Sequence, residues 1–218
     1  MKRWTILLVL MLMVGLAGIA EAKKNKIVLD GTCLEILHKN YLKNDKLGQK
    51  WVADSIPITK KLNARVVLLP FFGKGAMTTP AEMEYVADIL KELAPEAEKA
   101  GVLLGLEDTN SAEENVRIME RTKSKAVQVY YDVGNSTFNG YEVVKEIRWL
   151  GKERICQIHL KDKGYMGEGT IDFPAVLRAM EDIGYAGYAN LETNSPSKDI
   201  PADMRRNLAF VRKLLAAG

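Results

Sequence analysis

Short apolar runs rich in β-branched residues alternate along this chain with longer stretches whose apolar positions recur at helical spacing. The runs are KIVLDGTC (26–33), RVVLLP (65–70), VLLGLE (102–107), AVQVYYD (126–132), ICQIHL (155–160) and YANLET (188–193). Helices are predicted over 47–62, 80–99, 112–122, 140–151, 173–183 and 202–216, with Val86, Ile89, Leu90 and Leu93 marking the apolar stripe of the second. Strands and helices alternating at this interval indicate six parallel βαβ units.

Six such units suit either an open doubly wound sheet or part of a closed barrel. The first strand-to-helix turn, GTCLEIL, carries neither the G-x-G-x-x-G spacing nor a P-loop lysine. Four consecutive runs instead end in groups that bind ions or move protons: Glu107, Asp132, His159 and Glu192. In a parallel barrel all these ends lie on one face, where barrel active sites are built. The expected architecture is therefore α/β, of the (β/α)8 TIM-barrel type, incomplete, with about six units present.

Residues two apart in a strand share a face, so Gln128, Tyr130 and Asp132 point together, as do Gln157 with His159 and Asn190 with Glu192. The opposite faces carry Val127 and Val129, then Cys156, Ile158 and Leu160, then Ala189 and Leu191, and are expected against the helices. A strand buried on both faces would be apolar throughout, so the polar inner lining predicts a polar pocket. A lone histidine is more often a core residue with a hydrogen-bond partner, and each acid alone could simply cap a helix. Four at successive strand ends argue for a site. Two glutamates, one aspartate and one imidazole make a mostly oxygen donor set suited to Mn²⁺ or Mg²⁺, with Zn²⁺ or Co²⁺ also accommodated. A divalent ion among three carboxylates leaves a net charge near −1, which lets the site hold a neutral polyol and keep a carboxylate for proton transfer.

The apolar and charged fractions, 47% and 27%, are those of an ordinary folded domain. The first 22 residues stand apart. Lys2 and Arg3 precede an apolar run that ends at Ala20-Glu21-Ala22, so residues 1–22 read as a signal peptide cut after Ala22, leaving residues 23–218 as one secreted or periplasmic domain. The run is shorter than the roughly 20 residues a span needs, so no stable membrane span is expected after cleavage. Cleavage removes two basic residues and one acidic one, taking the net charge from +3 to +2. With no basic stripe and no arginine–aromatic interleaving, nothing points to nucleic acid. Cys33 and Cys156 are expected as buried free thiols, although an oxidising compartment would permit a bridge.

From about residue 26 onward the chain resembles the xylose isomerase-like TIM-barrel superfamily, in its sugar phosphate isomerase/epimerase branch. The resemblance rests on APEAEKAGVLLGLEDTN, YYDVGNS, CQIHLKDKG and GEGTIDFPAVLRAMEDIGYAGYANLE. It implies a metal held by Glu107, Asp132, His159 and Glu192, with Asp162 supporting the ligands or contacting substrate and Glu113 contacting substrate. It also implies an enediolate mechanism, in which Glu107 and Glu192 remove and return a proton beside the carbonyl of an open-chain sugar or sugar phosphate. Three departures stand out. Asn135 occupies the place of a frequent histidine, Lys163 is the cation left where an arginine is frequent, and the first two of eight βα units are absent. The segments DGTCLEILHKNYLK, with His38, and FFGKGAM are expected at the pocket mouth, and a homodimer could cover the open barrel edge. A lyase acting on 3-keto-glycosides through the same metal site, or an inactive sugar-binding remnant, are the alternative readings. An apurinic-site endonuclease would need more histidines than the two present.

Overall fold

The computed structural model describes residues 21–217; residues 1–20 of the segment read as a signal peptide lie outside them. Six parallel strands pair strictly in chain order: β1 (Gly31–Cys33), β2 (Val66–Pro70), β3 (Leu103–Glu107), β4 (Val127–Asp132), β5 (Ile155–Leu160) and β6 (Ala189–Leu191). A doubly wound sheet reverses its strand order partway, and this sheet does not. It curls instead as an incomplete barrel of six units.

Helices α1 (Lys46–Lys61), α2 (Pro80–Ala100) and α3 (Ala112–Thr122) follow the first three strands. Two pieces, α4 (Val133–Phe138) and α5 (Val143–Leu150), follow β4, and α6 (Phe173–Asp182) and α7 (Ile200–Ala217) follow β5 and β6. Local chemistry sets their ends. At the start of α2, Thr79 Oγ1 accepts the Glu82 amide while Glu82 accepts the Thr79 amide, and Pro80 takes the first helical position, where its missing N–H costs nothing. Gly101 stops the helix in the left-handed region at φ 69°. Among the described residues no helix is long and apolar enough to cross a membrane.

The outward faces of the strands build the core. Val67, Leu69, Leu104 and Leu106 pack under α1 and α2, and Tyr131, Ile158, Leu160 and Leu191 under the later helices. Each fully buried leucine or isoleucine there contributes about 2 kcal/mol by leaving water. The inward faces carry a smaller cluster, Val66, Leu68 and Tyr130 with Cys33, Leu103 and Cys156. Gly105 makes room for it, because a Cβ there would lie 2.8 Å from Cys156 Sγ and 3.2 Å from Tyr130.

Three expectations are corrected. Cys156 faces inward rather than toward the helices, because the β4–β5 register shifts between Val129 and Tyr130: Val129 pairs with Ile155 and Tyr130 with Gln157, so Cys156 is the extra residue of a bulge. The helix read over 140–151 is preceded by the separate turn α4, and α5 itself begins at Val143. The first and last strands are shorter than 26–33 and 188–193, with three residues each. Short outer strands limit the unpaired edge that an open sheet presents. Cys33 and Cys156 are unbridged and half-buried.

Candidate metal centre

The chain-order sheet brings four strand ends side by side. Glu107 closes β3, Asp132 closes β4 and lies in register with His159 near the end of β5, and Glu192 directly follows β6, its amide donating to the Leu160 carbonyl at 3.2 Å. One donor atom from each of Glu107, Asp132, His159 and Glu192 falls within 4.8 Å of all the others. His159 Nδ1 is the hub, 2.9 Å from Glu107 Oε1, 3.1 Å from Glu192 Oε2 and 3.6 Å from Asp132 Oδ2. The ring is fixed by Tyr130, packed edge-on with centroids 4.5 Å apart; Asn190 Nδ2 in turn donates to the Tyr130 hydroxyl at 2.9 Å.

Two residues before His159, Gln157 Nε2 donates to Asp30 Oδ2 at 2.6 Å, a buried polar tie across the inside of the curl. Gln157, Asn190 and Tyr130 therefore face inward as expected, where they pair with one another and with Asp30, while other residues form the cavity wall. Gln128 sits at the other end of its strand and donates to the Lys125 carbonyl.

Burial pushes the Glu107 carboxyl above its usual range, against the pull of His159. Burial also opposes charge on His159, but the three carboxylates around it outweigh this and hold its pKa well above the ordinary value. Glu192 is the most open member; burial works against its charge, yet hydrogen bonding to His159 and the nearby cations bring it down to about 2. Asp132 divides its oxygens. Oδ1 accepts the Asn135 amide at 2.7 Å and caps α4, whereas Oδ2 is buried without a hydrogen-bond partner. His159 Nδ1 and Lys161 Nζ each lie 3.6 Å from Oδ2, so this buried oxygen has charge partners but accepts no hydrogen bond, and a coordinated cation would satisfy it more fully. The donor set and this oxygen without a hydrogen bond fit a divalent ion held by these four side chains.

The cluster opens into a cavity of about 170 Å³ whose wall includes Glu35, His38, Phe72, Asn135 and Lys161. Of the residues expected to contact substrate, the structure brings His38 and Asn135 to this wall. Asn135 Nδ2 is buried and has no partner. Glu113, Asp162 and Lys163 are not part of this wall. Glu113 is exposed in the first turn of α3. Lys163 is exposed, with its ammonium 4.9 Å from the centre of the Phe138 ring. Asp162 is buried and accepts three backbone amides, from Lys163 (2.8 Å), Gly167 (2.9 Å) and Gly169 (3.1 Å), so it shapes the loop after β5.

Sequence reasoning missed Lys161. Its ammonium lies 3.2 Å from Glu192 Oε2 and 3.6 Å from Asp132 Oδ2; it directly follows β5 and stands two residues after His159, so continuing the strand alternation by one step would have placed it on the same face.

The geometry accords with comparisons to known proteins. An L-ribulose 3-epimerase of Mesorhizobium japonicum is 29% identical over 136 residues, covering 58% of this chain and 46% of the relative. An inosose dehydratase of Geobacillus thermodenitrificans is 29% identical over 157 residues, covering 56% and 51%. The chain thus spans about half the length of the curated relatives it matches. Among solved structures, one of an L-ribulose 3-epimerase superposes with a TM-score of 0.79 at 21% identity, covering 94% of this chain and 80% of that one, which establishes the shared fold. The family model described as xylose isomerase-like TIM barrel matches residues 20–214. The chain belongs to the xylose isomerase-like TIM-barrel family.

Proposed function

We propose that this protein is a divalent-metal-dependent sugar or sugar phosphate epimerase or isomerase that works through an enediolate. The observation that carries the reading is the convergence of Glu107, Asp132, His159 and Glu192 within 4.8 Å at four successive strand ends. Those four residues would hold Mn²⁺ or Mg²⁺, which when bound supplies Lewis-acid polarisation of a carbonyl. Glu107 and Glu192 reach the site from strands on either side of His159 and serve as proton acceptor and donor at the carbon beside that carbonyl. His38, Asn135 and Phe72 form the wall against which an open-chain sugar lies. Return of the proton to the neighbouring carbon gives isomerisation; return to the other face of the same carbon gives epimerisation.

Calorimetric titration with Mn²⁺ tests the site. Wild type is expected to bind one ion, and His159→Ala and Glu192→Ala to lose about 100-fold or more in affinity, beyond the 10–100-fold that loss of a supporting group costs. A folded wild type that binds no Mn²⁺ would leave a sugar-binding remnant as the better account. The likeness to an inosose dehydratase supports a second reading, elimination of a β-substituent from a keto sugar by the same base. Product analysis on 3-keto-glycosides separates the two, since free aglycone appears only with the lyase. The proposal includes a signal peptide cut after Ala22, giving a secreted or periplasmic protein, which the N-terminal mass of the exported chain tests. It also includes a homodimer across the outer edges of β1 and β6, which sedimentation tests.

A further inference from the structure

Lys161 stands out because it brings a positive charge to a cavity wall whose other charged groups are Glu35, Glu107 and Glu192. It is the lysine or arginine found on the cavity wall among the described residues, and its ammonium bridges Glu192 and Asp132. The stem is guided there by Gly134, in the first turn of α4: a Cβ at that position would lie 2.8–3.0 Å from Lys161 Cβ, Cγ and Cδ. Asn135, the next residue, is part of the same cavity wall, and its Nδ2 has no hydrogen-bond partner. A cation and an amide donor therefore converge beside the carboxylates. The other basic residues that could serve do not: Lys163 covers Phe138, and Lys39 and Lys74 are exposed.

Resting on the metal-dependent reading above, we propose that Lys161 is a substrate-contacting residue, pairing with Asn135 to bind an oxygen of a neutral open-chain hydroxyketone next to the metal. The charge balance supports it. Three carboxylates, a divalent ion and Lys161 sum to about zero, so a neutral sugar enters without repulsion and negative charge developing on its oxygen meets a fixed donor. A phosphate group at the same place would face Glu35, Glu107 and Glu192.

The test uses the full chain and two probes, MnCl₂ alone and xylitol added to the Mn²⁺-loaded protein, both by calorimetry. Lys161→Met is expected to bind Mn²⁺ at least as tightly as wild type, because a competing charge has gone, and to bind xylitol about tenfold more weakly, the cost of a lost charge-assisted hydrogen bond. Lys161→Arg recovers part of the xylitol affinity. Gly134→Ala, which keeps the lysine but displaces its stem, weakens xylitol binding while Mn²⁺ affinity holds. Unchanged xylitol binding in Lys161→Met overturns the inference, and so does a fall in its Mn²⁺ affinity, which would make Lys161 a structural member of the cluster. Wild type binding Mn²⁺ but no xylitol overturns this inference and leaves the ion site standing; wild type binding no Mn²⁺ overturns the metal-dependent reading and this inference together.

Discussion

Asp132 and Asn135 are joined by a single 2.7 Å hydrogen bond, from the Asn135 amide to Asp132 Oδ1, that makes one carboxylate both the start of α4 and a member of the candidate metal centre. The two tasks can be separated by substitution. Asn at position 132 keeps a capping oxygen but loses the charge, so Asp132→Asn is expected to abolish Mn²⁺ binding with little change in thermal midpoint. Asp132→Ala loses both, with a further destabilisation of about 1 kcal/mol from the missing cap. Parallel calorimetry and thermal melts check this, and equal melting losses in the two variants would refute the division of labour.

Asp162 organises the loop after β5. With three backbone amides on its two oxygens, Asp162→Ala leaves buried donors unsatisfied and is expected to cost about 2–3 kcal/mol in urea unfolding, with faster amide exchange over 163–169. Gly169→Ala should act similarly, since its Cβ would fall 1.8 Å from Asp162 Oδ1. Mn²⁺ affinity that collapses while the loop stays protected would instead assign Asp162 to the site.

The pH dependence of stability has a traceable contributor in Glu82. The hydrogen bond from Lys43 Nζ at 2.7 Å, followed by that from the Thr78 amide, holds its carboxyl down at about 2, against an ordinary 4.5. A folded-state value below the unfolded one means stability that is present above pH 4.5 and is lost as pH falls toward 2. Glu82→Gln, which can keep the capping box but not the charge, should be about 1 kcal/mol less stable than wild type at neutral pH, with the gap closing by about pH 2. A gap independent of pH in urea melts would exclude this origin.

Alternation along the strands was enough to place Glu107, Asp132, His159 and Glu192 together, because a period of two and a common strand direction leave little freedom at a strand end. The same rule put Cys156 on the wrong face. It assumes an unbroken ladder, and the shift at Val129/Tyr130 inserts one residue without any glycine or proline to announce it. The turn α4 was invisible for another reason: VGNSTF has no apolar periodicity, and its helical form depends on the cap from Asp132 rather than on propensity. Lys161 and Lys163 show the limit most clearly. Two lysines two residues apart look alike in sequence; the open flank of Gly134 draws one into the cavity and the Phe138 ring keeps the other at the surface.

The tie between Asp30 and Gln157 joins residues 127 positions apart, whereas every strand pair joins chain neighbours. Assembly can therefore proceed strand by strand, each step closing a short loop, and this one bond has to wait until five strands stand in place. Formed late, it slows opening more than it speeds closing. Gln157→Ala should raise the unfolding rate about tenfold in stopped-flow measurements and leave the folding rate unchanged, whereas slowed folding would place the tie in the nucleus. This tie is then a latch on the lifetime of the folded state, fastened after the barrel wall has been built.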